Sequence, residues 1–526
     1  MNLLKKNIHM YRSRCEAMNQ VTLEDDRNLP ENKPDVASIN LEKANVCIEE
    51  VRPGTDSVLL RGKLQFALLY HTLEPGSSLI PFTGELPFEE RIMVKDMVST
   101  DSVNAQGEVE DFSVSCINSR KLSIRCLLTL SACAEELYDE EVPTAMHSDD
   151  GEKLEYRRTP VRLSQIAVCR SDLYRIRDEV SIPSNYPNIR EILWDMVHLM
   201  DVEFKILDGK IAIQGDAHVF LLYEGEGDNH PVVNFESVLP FSGILECSGC
   251  REGMISDIQY TVDKADIVVR PDLDGEERCI GLELALDIRI RAYEEETVEM
   301  VSDLYGVTKE VRASTRNSML KRVRNALAGK MKVTEHIRIP AGSAPVFQIL
   351  HSEGSICQLQ HSVEEDGIHI KGGITAKIMY IVSDDDSPYA CTEVQIPYQY
   401  TLEIPGGAAG TPDGMLEIGR MRGEVEQLQV TMLDTEEMDV KAILCFSTMV
   451  IETIPVEIID EVTVGELSAD IRKNLPGMAI YVAKEGDNLW NIGRKYYVSV
   501  DSLREWNQLE KDDLQKGQKL LVVKGM

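Results

Sequence analysis

One motif recurs three times along the 526-residue chain, and it constrains the fold more than any other feature. Each copy opens with Leu-Pro or Ile-Pro; a glycine follows 32 residues later, a tyrosine eight residues after that, and another proline 17 residues beyond the tyrosine. The three sets are Pro30, Gly62, Tyr70 and Pro87; Pro183, Gly215, Tyr223 and Pro240; and Pro340, Gly372, Tyr380 and Pro397. Identical intervals in three copies predict three related domains in tandem.

Within each copy the sequence favours β structure. The runs from glycine to tyrosine alternate apolar and polar residues, as half-buried strands do, and the segments 121–133, 279–293 and 438–452 have the same character. We read the shared tyrosines as core positions and the shared prolines as turn positions. The expected fold class is therefore mainly β, with three tandem β-rich domains.

Short helices are expected to connect these strands. The second proline of each copy precedes apolar residues at i and i+3, such as Val36 and Ile39, which predicts a short helix that begins at that proline. The stretches 158–178 and 305–332 are expected to be connections, and the basic segment 312–330 within the second is predicted to be helical.

Composition and charge exclude several classes of protein. The formal net charge of -34 disfavours binding of nucleic acid or of a membrane surface by the whole molecule. The first residues lack the apolar run of a secretory signal, and no apolar stretch is long enough to span a membrane. Most of the 12 cysteines stand singly in apolar runs, which is typical of a reducing compartment. We therefore expect a cytoplasmic protein without direct membrane insertion.

The C-terminal tail differs from the rest of the chain. Residues 479–524 carry eight basic and seven acidic residues, a net of +1, and hold two of the three tryptophans, Trp490 and Trp506. The tail resembles a LysM domain. The matching elements are Tyr481-Val482, the turn from Gly486 to Trp490, the segment from Val498 to Asn507 with Leu509, and Leu514 with Gly517 to Leu520. It departs from the family pattern at Asn488, Gly493 and Tyr497, where the family more often has Thr, Ala and Gly.

The LysM resemblance implies a small βααβ fold with a ligand groove between two loops. The groove residues would be Gly486, Asp487, Asn488, Leu489 and Trp490 from the first loop, and Asp513, Leu514, Gln515, Lys516, Gly517 and Gln518 from the second. A structural role is expected for Tyr481, Ile492, Leu503, Trp506, Asn507 and Leu509, for Leu489 in the core, and for Asp487 or Asn488 as a helix cap. The two tryptophans also remain candidates for the groove.

LysM domains usually bind N-acetylglucosamine polymers outside the cell. A chain without an export signal would not meet them, which favours a protein as the ligand of this groove. The domain boundaries that we expect are 1–158 for the first repeat with its N-terminal lead-in, 159–304 for the second, 305–465 for the third, 466–477 for a linker and 478–526 for the LysM domain.

Three β-rich repeats before one C-terminal LysM domain, in an acidic chain, resemble the SPOCS-repeat spore-coat morphogenetic proteins. The resemblance implies a protein of the mother cell, at the forespore surface or in the spore coat, that binds the stage IV sporulation coat ATPase and other coat proteins. It implies no enzymatic activity and no cofactor. The alternative is a peptidoglycan-binding protein of the spore cortex or cell wall.

Signatures of catalysis and metal binding are few. The sequence lacks the His-Glu-x-x-His, Gly-x-Ser-x-Gly and Walker-type motifs. Cys247 and Cys250 form one Cys-x-x-Cys pair, for which two reduced thiols in a loop are favoured over a metal or redox site. His351, His361 and His369 match no metal signature, and the run 384–386 of aspartates is expected to be a solvated loop.

Overall fold

Three β-rich units and one small α+β unit make up the structure, a computed structural model that describes residues 2–72, 79–147, 154–227, 230–339, 344–383, 388–407, 415–468 and 476–523. Every strand pairing within these ranges is antiparallel. The predicted fold class, mainly β with a βααβ tail, is confirmed.

Six strands form the first unit: β1 (Asn2–Asn28), β2 (Val36–Gly54), β3 (Ser57–Thr72), β4 (Leu79–Met93), β5 (Ser102–Asn118) and β6 (Lys121–His147). They make two three-stranded sheets, in the orders β1-β6-β5 and β2-β3-β4. A core of alternating apolar residues from both sheets lies between them.

The second unit repeats this arrangement with β7 (Leu154–Ser181), β8 (Ile189–Leu207), β9 (Lys210–Gly225), β10 (Val232–Glu246), β11 (Ile255–Pro271) and β12 (Glu277–Gly306). Its sheets have the orders β7-β12-β11 and β8-β9-β10. The third unit has β13 (Lys309–Arg338), β14 (Val346–Glu364), β15 (Gly367–Val382), β16 (Tyr389–Leu402), β17 (Met415–Ile418), β18 (Arg422–Met432) and β19 (Glu437–Glu466). There β14-β15-β16 form one sheet, and β19 pairs with β13, β17 and β18 in the other.

The C-terminal unit consists of β20 (Met478–Val482), α1 (Leu489–Tyr496), α2 (Val500–Asn507) and β21 (Lys519–Val523). Its two strands pair with each other. No helix in the described part of the chain has the length and apolarity that crossing a membrane requires.

A cross-strand pair of glycine and an aromatic residue accounts for the repeated intervals. The pairs are Gly62 with Phe88, Gly215 with Phe241 and Gly372 with Tyr398. A methyl group on Gly62 would come within 2.7 Å of the Phe88 ring. The ring therefore packs where a side chain would otherwise stand, and the spacing between the two residues is fixed by the hairpin that joins their strands.

The shared tyrosines are core residues, as predicted. Tyr70 and Tyr223 are fully buried and Tyr380 is 4% exposed. The hydroxyl group of Tyr70 donates to the carbonyl oxygen of Pro34 at 3.0 Å, and that of Tyr223 to the carbonyl oxygen of Pro187 at 3.1 Å. This hydrogen bond holds the turn at the second proline against the core.

The helices predicted after the second prolines are wrong, because β2, β8 and β14 occupy these positions. In β2 the register shifts between Val36 and Ser38 and again between Ile39 and Leu41, and β8 and β14 have shifts at the equivalent places. A bulge adds one residue to a strand, so core-facing residues recur at i+3 instead of i+2. A doubly bulged strand therefore imitates helical spacing.

The basic helix predicted over 312–330, and the connections predicted at 158–178 and 305–332, are also wrong. These segments lie largely within the long strands β7, β12 and β13, and β13 pairs with β19 along its whole length. Leu320, Val323 and Leu327 pack in three different apolar clusters. Their spacing follows these separate neighbours, which is why it does not alternate.

The three units pack together through several apolar clusters, and two of these are built from equivalent residues of the repeats. The equivalent residues are Leu69, Leu222 and Met379 in one, and Val142, Met300 and Ile458 in the other. Between the units lies a chamber of about 2260 Å³, lined mainly by β2, β5, β8, β11, β14 and β18. We refer to it as the central chamber.

Candidate functional site

The two loops of the expected groove lie side by side in the C-terminal unit. Asn488 of the first loop and Asp513 of the second form an isolated antiparallel β-bridge. Each loop turns on a glycine in the left-handed region, with φ of 85° at Gly486 and 86° at Gly517. The structure therefore brings both segments of the predicted groove together.

Hydrogen bonds from side chain to backbone hold the first loop. The side chain of Asn488 caps α1 by accepting from the N–H of Asn491 at 2.9 Å, as predicted for a capping residue. The Asp487 carboxylate accepts from the N–H of Lys484 at 2.8 Å and from the hydroxyl group of Tyr481 at 2.7 Å. These two bonds lower the pKa of Asp487, the one from Lys484 most.

The groove residues differ in their exposure. Five are exposed: Gly486, Asp513, Gln515, Lys516 and Gly517. Five are half-buried: Asp487, Asn488, Trp490, Leu514 and Gln518. Leu489 is fully buried among the apolar residues of the small core, so it cannot line a groove and takes the structural role instead.

Most residues expected to be structural in this unit form or border its core. Ile492 and Leu503 are buried, and Tyr481 and Leu509 pack against them. Trp506 does not belong to this cluster and keeps 37% of its surface exposed. Val500, Leu503 and Asn507 form the side of α2 that faces the core. Trp506 is exposed because it lies outside that side of the helix.

Asn507 ties α2 to the last strand. Its side-chain amide group donates to the carbonyl oxygens of Leu503 at 2.9 Å and Leu521 at 2.8 Å. Its side-chain oxygen accepts from the N–H of Leu521 at 2.6 Å. An amide group can donate and accept at once, which a carboxylate at this position could not do.

Trp490, expected in the groove, instead contacts the second unit. Its indole Nε1 donates to the Asp303 carboxylate at the end of β12, at 2.8 Å. Its ring meets that of Tyr305 edge-on, with 4.9 Å between the centroids. Arg494 reaches the same carboxylate, with Nη1 2.9 Å and 3.0 Å from its two oxygens. We call this set of four residues the docking contact.

The docking contact explains the departure from the LysM pattern at Gly493. The hydroxyl group of Tyr305 donates to the carbonyl oxygen of Val498 at 2.9 Å. It passes so close to α1 that a methyl group on Gly493 would lie 2.4 Å from the hydroxyl oxygen. Glycine fits here because the Tyr305 hydroxyl group of the second unit, together with the Val498 carbonyl oxygen of the LysM domain itself, occupies the space of a side chain.

The departure at Tyr497 does not change the turn. Tyr497 follows α1 with φ of 57° and ψ of 47°, the left-handed conformation that glycine adopts most readily. Its N–H donates to the carbonyl oxygen of Gly493, and that of Val498 donates to the same oxygen at 3.0 Å. The helix end therefore keeps its usual geometry at a conformational cost of about 1 kcal/mol.

An exposed apolar surface covers the face of the β20–β21 sheet that points away from the helices. Met478, Ile480 and Val482 are 65%, 71% and 51% exposed. Leu521 and Val523 stand on the same face of β21. We call these five residues the outer sheet face. This surface was not predicted from the sequence, although apolar residues at consecutive positions in MAIYV and KLLVV are more than one small core can bury.

The side chains of Cys247 and Cys250, for which two reduced thiols are expected, lie against each other within reach of a disulfide. Their Cα atoms are 5.7 Å apart, within the usual range for a disulfide, because the N–H of Cys250 donates to the carbonyl oxygen of Cys247 in a tight turn. Both are buried in the core of the second unit. The pair is part of that core.

The other residues considered for metal binding are dispersed. His351 is buried and packs against Phe220, whereas His369 is half-buried near the start of β15, beside the exposed carboxylates of Glu364 and Asp366. The Nε2 atom of His369 is 2.7 Å from an oxygen of Asp366. The aspartates at 384–386 lie outside the described residues.

Comparison with known families identifies both parts of the chain. The family described as SipL, SPOCS domain matches residues 35–117, 188–270 and 345–433, one segment in each β-rich unit. The LysM domain family matches residues 481–523. No curated protein matches the chain, and no solved structure does.

The three SPOCS segments begin next to the second proline of each repeat, and the LysM segment covers the two loops and both helices of the tail. Both are non-catalytic domain families, and together they fit a protein associated with the spore coat. The chain belongs to the SipL-like family, in which SPOCS domains precede a C-terminal LysM domain.

Proposed function

We propose that the chain is a non-enzymatic scaffold of spore coat assembly in the mother cell. Its LysM domain binds the stage IV sporulation coat ATPase, and its three SPOCS domains help to localise other coat proteins around the forespore. The combination of domains supports this role. Several binding domains on one chain raise the local concentration of each partner for the others.

The observation that carries the proposal is the orientation of the LysM domain. Its Trp490 is engaged by Asp303 and Tyr305 of the second SPOCS unit. The outer sheet face remains open, and its residues Met478, Ile480 and Val482 are among the most exposed large apolar residues of the chain. Small monomeric proteins seldom expose such contiguous apolar surface unless it binds another protein.

A sugar ligand is less well suited to this arrangement. Recognition of a glycan chain uses an aromatic platform with polar groups at its edges. In the first groove loop the aromatic residue is Trp490, and its indole N–H already donates to Asp303. The neighbouring loop residues are small or charged, such as Gly486, Lys516 and Gly517. These features favour a protein as the ligand.

The test is retention of the full chain by two immobilised ligands side by side, the purified coat ATPase and purified peptidoglycan. Retention by the ATPase alone supports the proposed function. Retention by peptidoglycan alone would overturn it in favour of the glycan-binding alternative. Retention by neither ligand would also contradict it, provided that circular dichroism shows the chain to be folded.

A further inference from the structure

The two sheets of each SPOCS unit face each other along a seam between two edge strands. These are β2 and β5 in the first unit, β8 and β11 in the second, and β14 and β18 in the third. In the described part of the chain, each of these six strands pairs with a neighbour on one side only. All six seam strands also line the central chamber.

One position decides how closely the seam strands approach. Gly107 of β5 pairs with Leu130, Tyr260 of β11 with Ile288, and Gly423 of β18 with Phe446. The three partner residues are 158 residues apart in each step, so the three paired residues are equivalent positions of the repeats. The first and third repeats therefore have glycine at the position where the second repeat has tyrosine.

The glycines allow the first and third seams to close. A methyl group on Gly107 would lie 2.6 Å from Cγ1 of Val46 on β2, and one on Gly423 would lie 3.0 Å from Cδ1 of Ile356 on β14. A large side chain such as tyrosine does not fit at either position while the strands remain this close. In both units the two seam strands approach each other more extensively than those of the second unit do.

Tyr260 keeps the second seam open. Its ring stands between the strands and meets the ring of Phe204 from β8, with 6.1 Å between the centroids. The segments 196–206 of β8 and 255–263 of β11 contain no glycine. These two strands come close over a short stretch only. The second unit thus presents an edge strand on each side of a gap that leads into the central chamber.

The surroundings of this gap are acidic. Glu203 of β8, Asp263 of β11 and Asp287 of β12 line the chamber beside it, and Glu424 faces it from β18. None of these four forms a salt bridge within the described ranges of the chain. The nearby cations are already engaged, since Lys330 pairs with Asp201 at 2.7 Å and Arg422 with Asp257 at 3.3 Å.

We propose that the second SPOCS unit binds an extended basic segment of a partner protein, which adds as a β-strand to the open seam beside Tyr260. Edge strands offer unpaired N–H and C=O groups to such a strand. Alternate side chains of the bound strand would face the apolar core of the second unit and the carboxylates of the chamber. A segment that alternates apolar and basic residues fits both surfaces. This site is separate from the LysM domain and does not rest on the function proposed above.

The proposal is tested with a fluorescent probe peptide, Lys-Val-Lys-Val-Thr-Val-Lys-Val-Lys, and the full-length chain. Two control peptides have Glu in place of each Lys, or Pro in place of the central Thr. We expect binding of the probe that weakens as salt is raised, and binding at least roughly tenfold weaker for both controls. Equal binding of the proline peptide, which cannot continue a strand pairing, would overturn the proposal, as would no binding of the probe.

Substitutions of Tyr260 test whether the probe binds at the open seam of the second unit. Tyr260→Gly should weaken probe binding by at least roughly tenfold, because the seam can then close as it does at Gly107, whereas Tyr260→Phe should change it less than about twofold. Circular dichroism controls for folding. Hydrogen exchange with the wild-type chain should show probe-dependent protection in β8 and β11. Protection confined to other strands, or unchanged binding by a folded Tyr260→Gly chain, would refute the site.

Discussion

The indole Nε1 atom of Trp490 in the LysM domain donates to the carboxylate of Asp303 in the second SPOCS unit, across 2.8 Å. Arg494 of the LysM domain pairs with the same carboxylate. Trp490 and Asp303 stand 187 positions apart in the chain, and their contact joins the LysM domain to the SPOCS body. The contact therefore decides which LysM surfaces are open to a partner.

Asp303→Ala should release the LysM domain from the body. The substitution removes the hydrogen bond from Trp490 and the ion pair with Arg494, both made to the Asp303 carboxylate. Together they contribute about 2 kcal/mol, because the ion pair is partly exposed and therefore weak. Amide signals of the LysM domain should then relax as those of a small mobile domain in nuclear magnetic resonance. Asp501→Ala is the matched control, because Asp501 is 84% exposed and its ion pair, with Arg504, lies inside the LysM domain. Identical relaxation in Asp303→Ala and the wild type would contradict the docking contact.

Gly493→Ala should destabilise the docked domain, although alanine normally stabilises a helix interior by about 1 kcal/mol over glycine. The added methyl group would lie 2.4 Å from the Tyr305 hydroxyl oxygen and 2.7 Å from the carbonyl oxygen of Val498. We expect a net loss of about 2 kcal/mol, measured by urea unfolding followed by tryptophan fluorescence. Adding Tyr305→Phe should restore part of the loss. A gain in stability from Gly493→Ala alone would show that Tyr305 does not pack there.

Gly62→Ala should destabilise the first SPOCS unit by about 3 kcal/mol. Its methyl group would lie 2.3 Å from the backbone carbonyl oxygen of Cys47, which cannot move without breaking the sheet. Gly215→Ala should cost less, because the closest atom, at 2.9 Å, belongs to the Phe241 ring. Gly465→Ala meets open space and serves as control. The urea midpoints of the three variants should follow this order, and equal midpoints would count against the glycine–aromatic pairing.

His336 should stabilise the third unit at low pH and not at high pH. Hydrogen bonding to Asp439, and then to Glu437, raises the pKa of His336 above its usual 6.5. A raised folded-state pKa gives stability that is fully present below pH 6.5 and is lost as the pH rises through the folded pKa. The melting temperature of His336→Gln should therefore lie below that of the wild type at about pH 5.5 and approach it at about pH 8.5. A constant difference at both pH values would rule this out.

The sequence was sufficient to predict the triplication, the β-rich class and the LysM domain, because each has a pattern within one segment of the chain. Equal intervals from Gly62, Gly215 and Gly372 reflect pairings inside hairpins, which involve residues close in sequence. Local patterns failed at the bulged starts of β2, β8 and β14. There the hydrogen-bonded register, and not the spacing of apolar residues, determines the structure.

The site was less predictable than the fold. Trp490 follows the LysM pattern and Gly493 departs from it. Trp490 contacts Asp303 and Gly493 contacts Tyr305, and both partners are far away in the sequence. Periodicity within one segment carries no information about such a partner. The sequence contains the difference between Tyr260 and the glycines at the equivalent positions of the other repeats. Its consequence is clear only once two edge strands are known to meet at that position.

We propose that the docked LysM domain presents the outer sheet face to the coat ATPase, and substitution of this surface tests that interaction directly. The measurement is the affinity of the full-length chain for the purified ATPase, compared between Ile480→Asp and Ile244→Asp. The two isoleucines are 71% and 58% exposed, so neither charge should disturb folding, but Ile244 lies on β10 of the second SPOCS unit. We expect at least roughly a tenfold loss of affinity for Ile480→Asp and wild-type affinity for Ile244→Asp. Wild-type affinity in a folded Ile480→Asp chain would contradict it.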